Sequence, residues 1–248
     1  MGNNPSPLVR KPHAVLHLDS RLLKAKKIEL LLDLDVGATE LKLLEIGTGS
    51  GGIAHYFANI SKLNFNVDAV DVVDNRLVCD GYNFQLVPSV KLPFADETFD
   101  VLITNHVIEH VGDYSAQCEH LKEIRRVLKK NAIAYLAVPN RWMLIEPHFK
   151  LIFLSWLPKS LRTPYLKLMR KGDFYDCEPL ERREIESMFL KAELLCTNRC
   201  IEALKLTLQL ERPKSRLASL FIGCPNFLYV PVVWLIPTLI YTIRRPLK

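Results

Sequence analysis

The sequence predicts an α/β chain in which one mostly parallel sheet carries helices on both faces, and two observations predict it. Short apolar runs alternate with amphipathic stretches over residues 17–140. Within that alternation, residues 43–52 read Leu-Leu-Glu-Ile-Gly-Thr-Gly-Ser-Gly-Gly, and a helical pattern begins at once with Ile53, Ala54, Tyr56 and Phe57. This is a buried strand, a tight turn and a helix start. Gly47, Gly49 and Gly51 allow positive φ and the close approach of a ligand. The first helical turn offers N–H groups and partial positive charge to a carboxylate or phosphate.

The elements follow in order. Over residues 17–33, Leu18, Leu22, Leu23, Ile28, Leu31 and Leu32 mark an apolar helix face, with Arg21, Lys24, Lys26 and Lys27 mainly on the other. This helix leads into the first strand and is placed to cover a ligand at the loop. The second strand, 66–73, contains Asp71, 20 residues after Gly51. An acid ending the second strand of a βαβ unit can accept both hydroxyls of a ribose. Asp74 is the neighbouring alternative, or a cap for a following helix. Residues 84–87, 99–105 and 132–138 read as strands three to five, with a helix at 115–129 between the last two. Residues 143–178 are an aromatic, apolar and basic insertion ahead of a helix at 181–191. Ligands of such sheets bind outside the carboxyl ends of the strands. The insertion therefore reads either as a lid for an acceptor with a hydrophobic part or as a helix packed on the sheet edge. Residues 227–243 are almost wholly apolar, but Pro231 and Pro237 interrupt them. They are read not as a spanning helix but as a short helix followed by a strand, 238–244, with alternating Leu239, Tyr241 and Ile243.

The loop alone leaves the ligand open, because Gly47, Gly49 and Gly52 also satisfy the dinucleotide pattern G-x-G-x-x-G. Glu45 suits a ligand with an ammonium group and would repel a pyrophosphate. Residues 92–100 then read Leu-Pro-Phe-Ala-Asp-Glu-Thr-Phe-Asp, followed by an apolar strand, Asn105-His106 and Glu109-His110. Later come Arg126-Val127-Leu128-Lys129 and Val138-Pro139-Asn140. In unbroken order over about residues 40–142, these motifs resemble the class I S-adenosylmethionine-dependent methyltransferases, in the small-molecule branch that includes quinone and envelope-glycan enzymes.

The resemblance implies a Rossmann-like, seven-stranded, mostly parallel sheet with an antiparallel last strand. It implies a single domain over 1–248, with N-terminal helix 17–33, core 40–142, lid-like insertion 143–178 and sheet completion at 192–246. S-adenosylmethionine is the implied cofactor, held by Glu45, Gly47, Thr48, Gly49, Gly51, Asp71, Val72, Ser89, Asn105 and His106. Two departures stand out. Pro88 occupies the position where the family often has an acid for the adenine amino group, which leaves adenine to the Ser89 hydroxyl or to backbone groups. Asn131-Ala132 replaces a Gly-Gly turn, and Asn tolerates the left-handed cap. The expected activity is methyl transfer to an oxygen of a small molecule, a sugar or an isoprenoid- or lipid-linked compound. A histidine would act as base. His106, Glu109, His110 and His148 compete for that role, and His110 and His148 are favoured. A C- or N-methyltransferase needs no base. A non-catalytic S-adenosylmethionine binder, and an NAD-dependent oxidoreductase resting on the glycine loop alone, are the remaining readings.

Composition bounds the partners. The chain has 248 residues, 49% hydrophobic, with a net charge of +6. Residues 1–140 carry −2 and residues 141–248 carry +8. There is no RNA-binding signature and no Lys/Arg block of five, so nucleic acid is not an expected partner. The basic half with its late aromatic run, beside Arg244, Arg245 and Lys248, leaves peripheral membrane contact open. Six cysteines are scattered, and Cys196 with Cys200 makes poor zinc geometry, so no metal is expected. Free thiols suit a reducing, cytoplasmic setting. Residues 1–11 are polar rather than a signal sequence, although Met1–Ser6 formally matches the myristoylation pattern.

Overall fold

A computed structural model of the chain describes residues 17–34, 40–231 and 233–246. The readings made at residues 1–11, and Lys248, lie outside the described residues.

The strands are β1 (Leu41–Ile46), β2 (Phe65–Asp71), β3 (Asn83–Leu86), β4 (Phe99–Asn105), β5 (Leu128–Pro139), a small hairpin of β6 (Ile145–Glu146) and β7 (Leu151–Ile152), β8 (Leu195–Asn198) and β9 (Thr238–Arg244). Seven of them form one sheet in the order β3-β2-β1-β4-β5-β9-β8. β1 to β5 pair in parallel, and β9 runs antiparallel to both β5 and β8. The chain reverses outward from β1 on either side, so the β1/β4 boundary is the switch point where a ligand crevice opens.

The helices are α1 (Leu18–Leu32), α2 (Gly52–Asn59), α3 (Tyr114–Val127), α4 (Lys159–Leu168), α5 (Arg182–Lys191), α6 (Cys200–Glu211) and α7 (Arg216–Gly223). Side chains alternate along the strands and feed two separate cores. Leu43, Val101, Ile103 and Tyr135 pack with Ala25, Ile28 and Leu31 of α1, Ile53 and Phe57 of α2, and Ala203 of α6. Leu44, Leu102, Ala134 and Leu136 pack on the other face with Leu121 and Ile124 of α3 and Ile185, Met188 and Phe189 of α5. Strands buried on both sides read as continuous apolar runs, which is how they stood out in the sequence.

The insertion has a third, small core of Leu151, Leu154, Leu166, Tyr175 and Cys177. It is thus a packed unit rather than a lone helix on the sheet edge. Its far end is tied to the sheet by the Glu178 N–H donating to the Glu109 carbonyl at 2.9 Å and the Leu180 N–H donating to the Pro139 carbonyl at 3.2 Å.

Two expectations are corrected. No helix follows Asp74. Its carboxylate instead accepts from the Arg76 backbone and pairs with the Arg76 guanidinium at 2.8 Å. The short helix before Pro237 is replaced by two 3-10 turns, Asn226–Tyr229 and Val233–Leu235. The connection between β8 and β9 also holds α6 and α7, where only sheet completion was expected. Asn131 takes the left-handed conformation expected of it, with φ 64°.

The spaced motifs of the sequence turn out to be one hydrogen-bonded unit. The Arg126 guanidinium, near the end of α3, donates to the Leu92 and Phe94 carbonyls at 3.0 and 2.7 Å. It also pairs with Asp96 and Glu123, both at 2.8 Å. Glu123 in turn accepts the Leu92 N–H at 2.8 Å. The Leu-Pro-Phe run and the Arg-Val-Leu-Lys helix end are therefore joined through fixed donor and acceptor positions, which explains why they occur together.

Candidate active site

The glycine loop leaves β1 at its carboxyl end. Gly47, Gly49 and Gly51 have φ of 82°, 55° and 82°, so all three are left-handed. Space also dictates two of them. A Cβ on Gly51 would lie 2.2 Å from the Val78 carbonyl oxygen, and one on Gly47 would lie 2.3 Å from Val107 Cγ2. The loop's own amides hold its shape: the Gly47 and Thr48 N–H groups donate to the Val70 carbonyl, and the Gly51 N–H to the Thr48 carbonyl. Thr48 faces inward, its hydroxyl also donating to the Val70 carbonyl at 3.1 Å.

Glu45 is buried beneath the start of α2, where its Oε2 accepts the Ala54 N–H at 3.0 Å. Gly51, the N-cap of α2, has no side chain to cap the helix, and Glu45 supplies the missing acceptor from β1. Burial pushes the Glu45 carboxyl up to about 8, against the opposing pull of Arg21 and the Ala54 N–H. The helix start offers its Ala54 amide to the chain's own carboxyl rather than to a ligand.

Asp71 ends β2. Its Oδ2 accepts the Gly49 N–H at 2.8 Å and its Oδ1 the Val72 N–H at 2.7 Å. A carboxylate oxygen accepts more than one hydrogen bond, so both retain capacity for a diol. Val72 beside it is 65% exposed, a flat apolar patch at the strand end. Ser89 is exposed, its Oγ accepting the Lys91 N–H at 3.3 Å.

At the end of β4, Asn105 Oδ1 is buried with no hydrogen-bond partner among the described residues, and so is Ser50 Oγ in the loop. His106 follows with φ 61°, held by its N–H to the Ala137 carbonyl at 2.9 Å. A non-glycine residue at positive φ is strained and concentrates at functional positions. Its Nδ1 lies 3.1 Å from Oε1 of Glu109, which is fully buried. Burial holds the imidazole below its usual range, outweighing the Glu109 carboxylate.

His110 and His148 converge from the end of β4 and from the insertion, with ring centroids 5.5 Å apart. His148 Nδ1 lies 2.7 Å from the buried Glu146 carboxylate, which also accepts the Phe149 N–H. Burial lowers His148, but the Glu146 hydrogen bond and charge more than offset this and leave it raised.

Part of the polar side of α1 is turned inward, although Lys26 is exposed. Arg21 lies against Gly52 of the loop, and Arg21, Lys24 and Lys27 line a cavity of about 210 Å³ between α1 and α6. Burial, then repulsion from Lys27 and Arg21, depresses Lys24 to about 8, while Glu211 and Glu109 pull the other way. The sequence placed this helix over the ligand but did not single out these cations as site residues, because amphipathic periodicity cannot tell a face turned to water from one turned to a polar cavity.

Residues 44–136 match the family model described as a methyltransferase domain. Over these residues the chain is similar to the class I S-adenosylmethionine-dependent methyltransferases. The chain is similar, at 29% identity over 134 residues, to a ubiquinone biosynthesis O-methyltransferase of Parvibaculum lavamentivorans, covering 49% of this chain and 50% of that protein. It is also 29% identical over 131 residues to a ubiquinone/menaquinone biosynthesis C-methyltransferase of Geotalea daltonii, covering 47% and 54%. The chain thus spans about half the length of these curated relatives. Among solved structures, a phosphoethanolamine N-methyltransferase of Haemonchus contortus superposes with a TM-score of 0.54 at 16% identity, over 90% of this chain and 52% of that one. That likeness shows the fold. The matched region has the left-handed glycines, the acid ending β2 and, among the described residues, unpartnered polar oxygens at Ser50 and Asn105, a set that fits S-adenosylmethionine. No helix among the described residues is long and apolar enough to cross a membrane.

Proposed function

We propose that the chain transfers a methyl group from S-adenosylmethionine to an oxygen of a small acceptor that has an apolar part. When bound, the cofactor supplies an electrophilic methyl group on a sulfonium. Asp71 would accept the ribose hydroxyls, Val72 would cover a face of the adenine, and Arg21, lying on the loop, would meet the methionyl carboxylate. The chain's main task is then to hold two reacting atoms close and in line.

The observation that carries the oxygen acceptor is the His106–Glu109 pair. Glu109 accepts the Nδ1 proton and orients the ring, which leaves Nε2 to take a proton from a hydroxyl. His106 stands nearer the strand end than His110 or His148, the histidines favoured from sequence, and is preferred here for that reason. The experiment is calorimetric titration with S-adenosylhomocysteine, with Asp71→Ala as control, followed by turnover on phenolic and sugar acceptors with His106→Ala. Weakened cofactor binding in Asp71→Ala together with a fall of about 10²–10⁴ in kcat for His106→Ala supports the reading. Unchanged turnover in His106→Ala would favour carbon or nitrogen as the acceptor atom.

Peripheral contact with a bilayer is the second part of this reading. Leu217, Leu220, Phe221, Phe227, Leu228 and Val230 are all more than half exposed. All three tryptophans of the chain join this face to the insertion: Trp156 meets Trp142 edge to face at 5.5 Å and Trp234 at a tilt at 6.2 Å. Trp at the edge of an apolar, basic surface suits the headgroup level of a membrane. Vesicles with anionic lipid should shift the tryptophan emission and sediment the chain, and Phe227→Ser with Leu228→Ser should abolish both. Absence of either effect on the unaltered chain refutes membrane contact.

A further inference from the structure

His110, His148 and Cys177 come from three separate segments: the turn after β4, the loop between β6 and β7, and the stretch ahead of α5. Their donor atoms lie within 4.8 Å of one another. Cys177 Sγ is 3.7 Å from His148 Nδ1 and 3.9 Å from His110 Nδ1. A tetrahedral zinc ion with Zn–S of about 2.3 Å and Zn–N of about 2.0–2.1 Å separates sulfur from nitrogen by about 3.6 Å. The observed spacings exceed that by only a few tenths of an ångström. The surroundings complete the pattern. Glu146 is 1% exposed and its Oε1 lies 2.7 Å from the same His148 Nδ1, so an ion taken up at that nitrogen displaces this hydrogen bond and lies beside a buried carboxylate that offsets its charge. Cys177 is 2% exposed, next to the nearly buried Asp176.

We propose that His110, His148 and Cys177 form a binding site for a divalent cation of the zinc class. Two imidazoles and a thiolate are borderline-to-soft donors, which select zinc over magnesium or calcium. Three protein ligands leave a fourth position to water or to an oxygen of a bound molecule. Binding displaces the thiol proton to solvent, and an imidazole nitrogen meets the ion in its neutral form. Because His148 and Cys177 belong to the insertion and His110 to the end of β4, the ion pins the insertion over the carboxyl edge of the sheet. This departs from the sequence expectation of no metal, which considered the cysteines by spacing alone. The site stands apart from the methyl-transfer reading and is tested without turnover.

The experiment strips the full chain with a chelator and titrates it with cobalt(II) chloride alone. One cobalt per chain should bind, with the strong visible bands of a tetrahedral site and a thiolate-to-cobalt charge-transfer band in the near ultraviolet. Cys177→Ser should remove the charge-transfer band, whereas Cys79→Ser, at an exposed thiol, should keep it. Glu146→Gln, which removes a buried negative charge beside the ion, should weaken cobalt affinity about 10- to 100-fold. X-ray absorption on the zinc-loaded, unaltered chain should give one sulfur at about 2.3 Å and two nitrogens at about 2.0–2.1 Å, and needs no variant to fold. Less than one cobalt per chain, a weak octahedral spectrum, or a zinc shell without sulfur would overturn the proposal and leave a hydrogen-bonded His–Cys–His cluster. S-adenosylhomocysteine titration of the stripped chain reports separately on the cofactor pocket.

Discussion

Glu45→Gln probes the buried carboxyl that caps α2. Burial raises its pKa from 4.5 to about 8 in the folded chain. A carboxyl whose pKa is raised on folding contributes most below its unfolded pKa, and that contribution is lost as pH rises through the folded value. The window here runs from about 4.5 to about 8. At 1.36 kcal/mol per unit, the full loss is on the order of 5 kcal/mol, most of it between pH 5 and pH 8. Glutamine keeps a carbonyl to accept the Ala54 N–H and cannot ionise. Thermal unfolding of both proteins without ligand, at pH 5, 6, 7 and 8, should therefore diverge steadily. For a chain of this size the gap in Tm should widen by roughly 10 °C in favour of the variant. Parallel pH profiles would mean that Glu45 is not proton-coupled to folding, and that α2 is capped by other means. The same pair of proteins also tests whether a ligand's ammonium group lies against Glu45. If it does, S-adenosylhomocysteine binding at pH 7 releases protons from the unaltered chain, read from calorimetry in two buffers, and releases none from the variant.

Four further outcomes follow from the same geometry. Asp71→Ala should lower S-adenosylhomocysteine affinity roughly 10- to 100-fold, the worth of hydrogen bonds to a charged group, and an unchanged affinity would remove the ribose role. Gly51→Ala should cost at least about 3 kcal/mol in urea unfolding, because its Cβ meets a backbone oxygen at positive φ. Gly47→Ala should cost less, since the Val107 side chain in its way can rotate, and the reverse order would refute the steric account. Arg126→Lys should destabilise by about 2–3 kcal/mol, because an ammonium cannot serve Glu123 and the Leu92 and Phe94 carbonyls at once, and a near-neutral result would deny that the two motifs form one unit.

The strands and the glycine loop were legible in the sequence because their causes are local. Strands buried on two faces must be apolar throughout, and a turn from β1 into α2 with left-handed φ needs glycine. β4 and β9 emerged at their expected bounds for that reason. The seven-stranded sheet with its antiparallel last strand was legible only through several spaced motifs taken together, and the Arg126 contacts supply the physical link between two of them. The direction a side chain takes was not legible. Glu45 read as a ligand contact, and its role in capping α2 through the Ala54 N–H was not visible. Arg21, Lys24 and Lys27 read only as the polar side of a helix placed to cover a ligand, and they line a cavity. α6 and α7 went unrecognised in a stretch treated as sheet completion.

By itself, then, the sequence determined the α/β architecture, the loop at the end of β1 and the acid that ends β2, each a property of a few neighbouring residues. Only the tertiary structure decided which residues share a site. His106 meets Glu109 because β4 ends in a left-handed turn. His110, His148 and Cys177 meet across 67 residues of chain because the insertion folds around its own core and its end is tied back to the Glu109 carbonyl. Contacts so distant along the chain leave no periodicity to read, since they arise from packing between elements and not from the pattern within one.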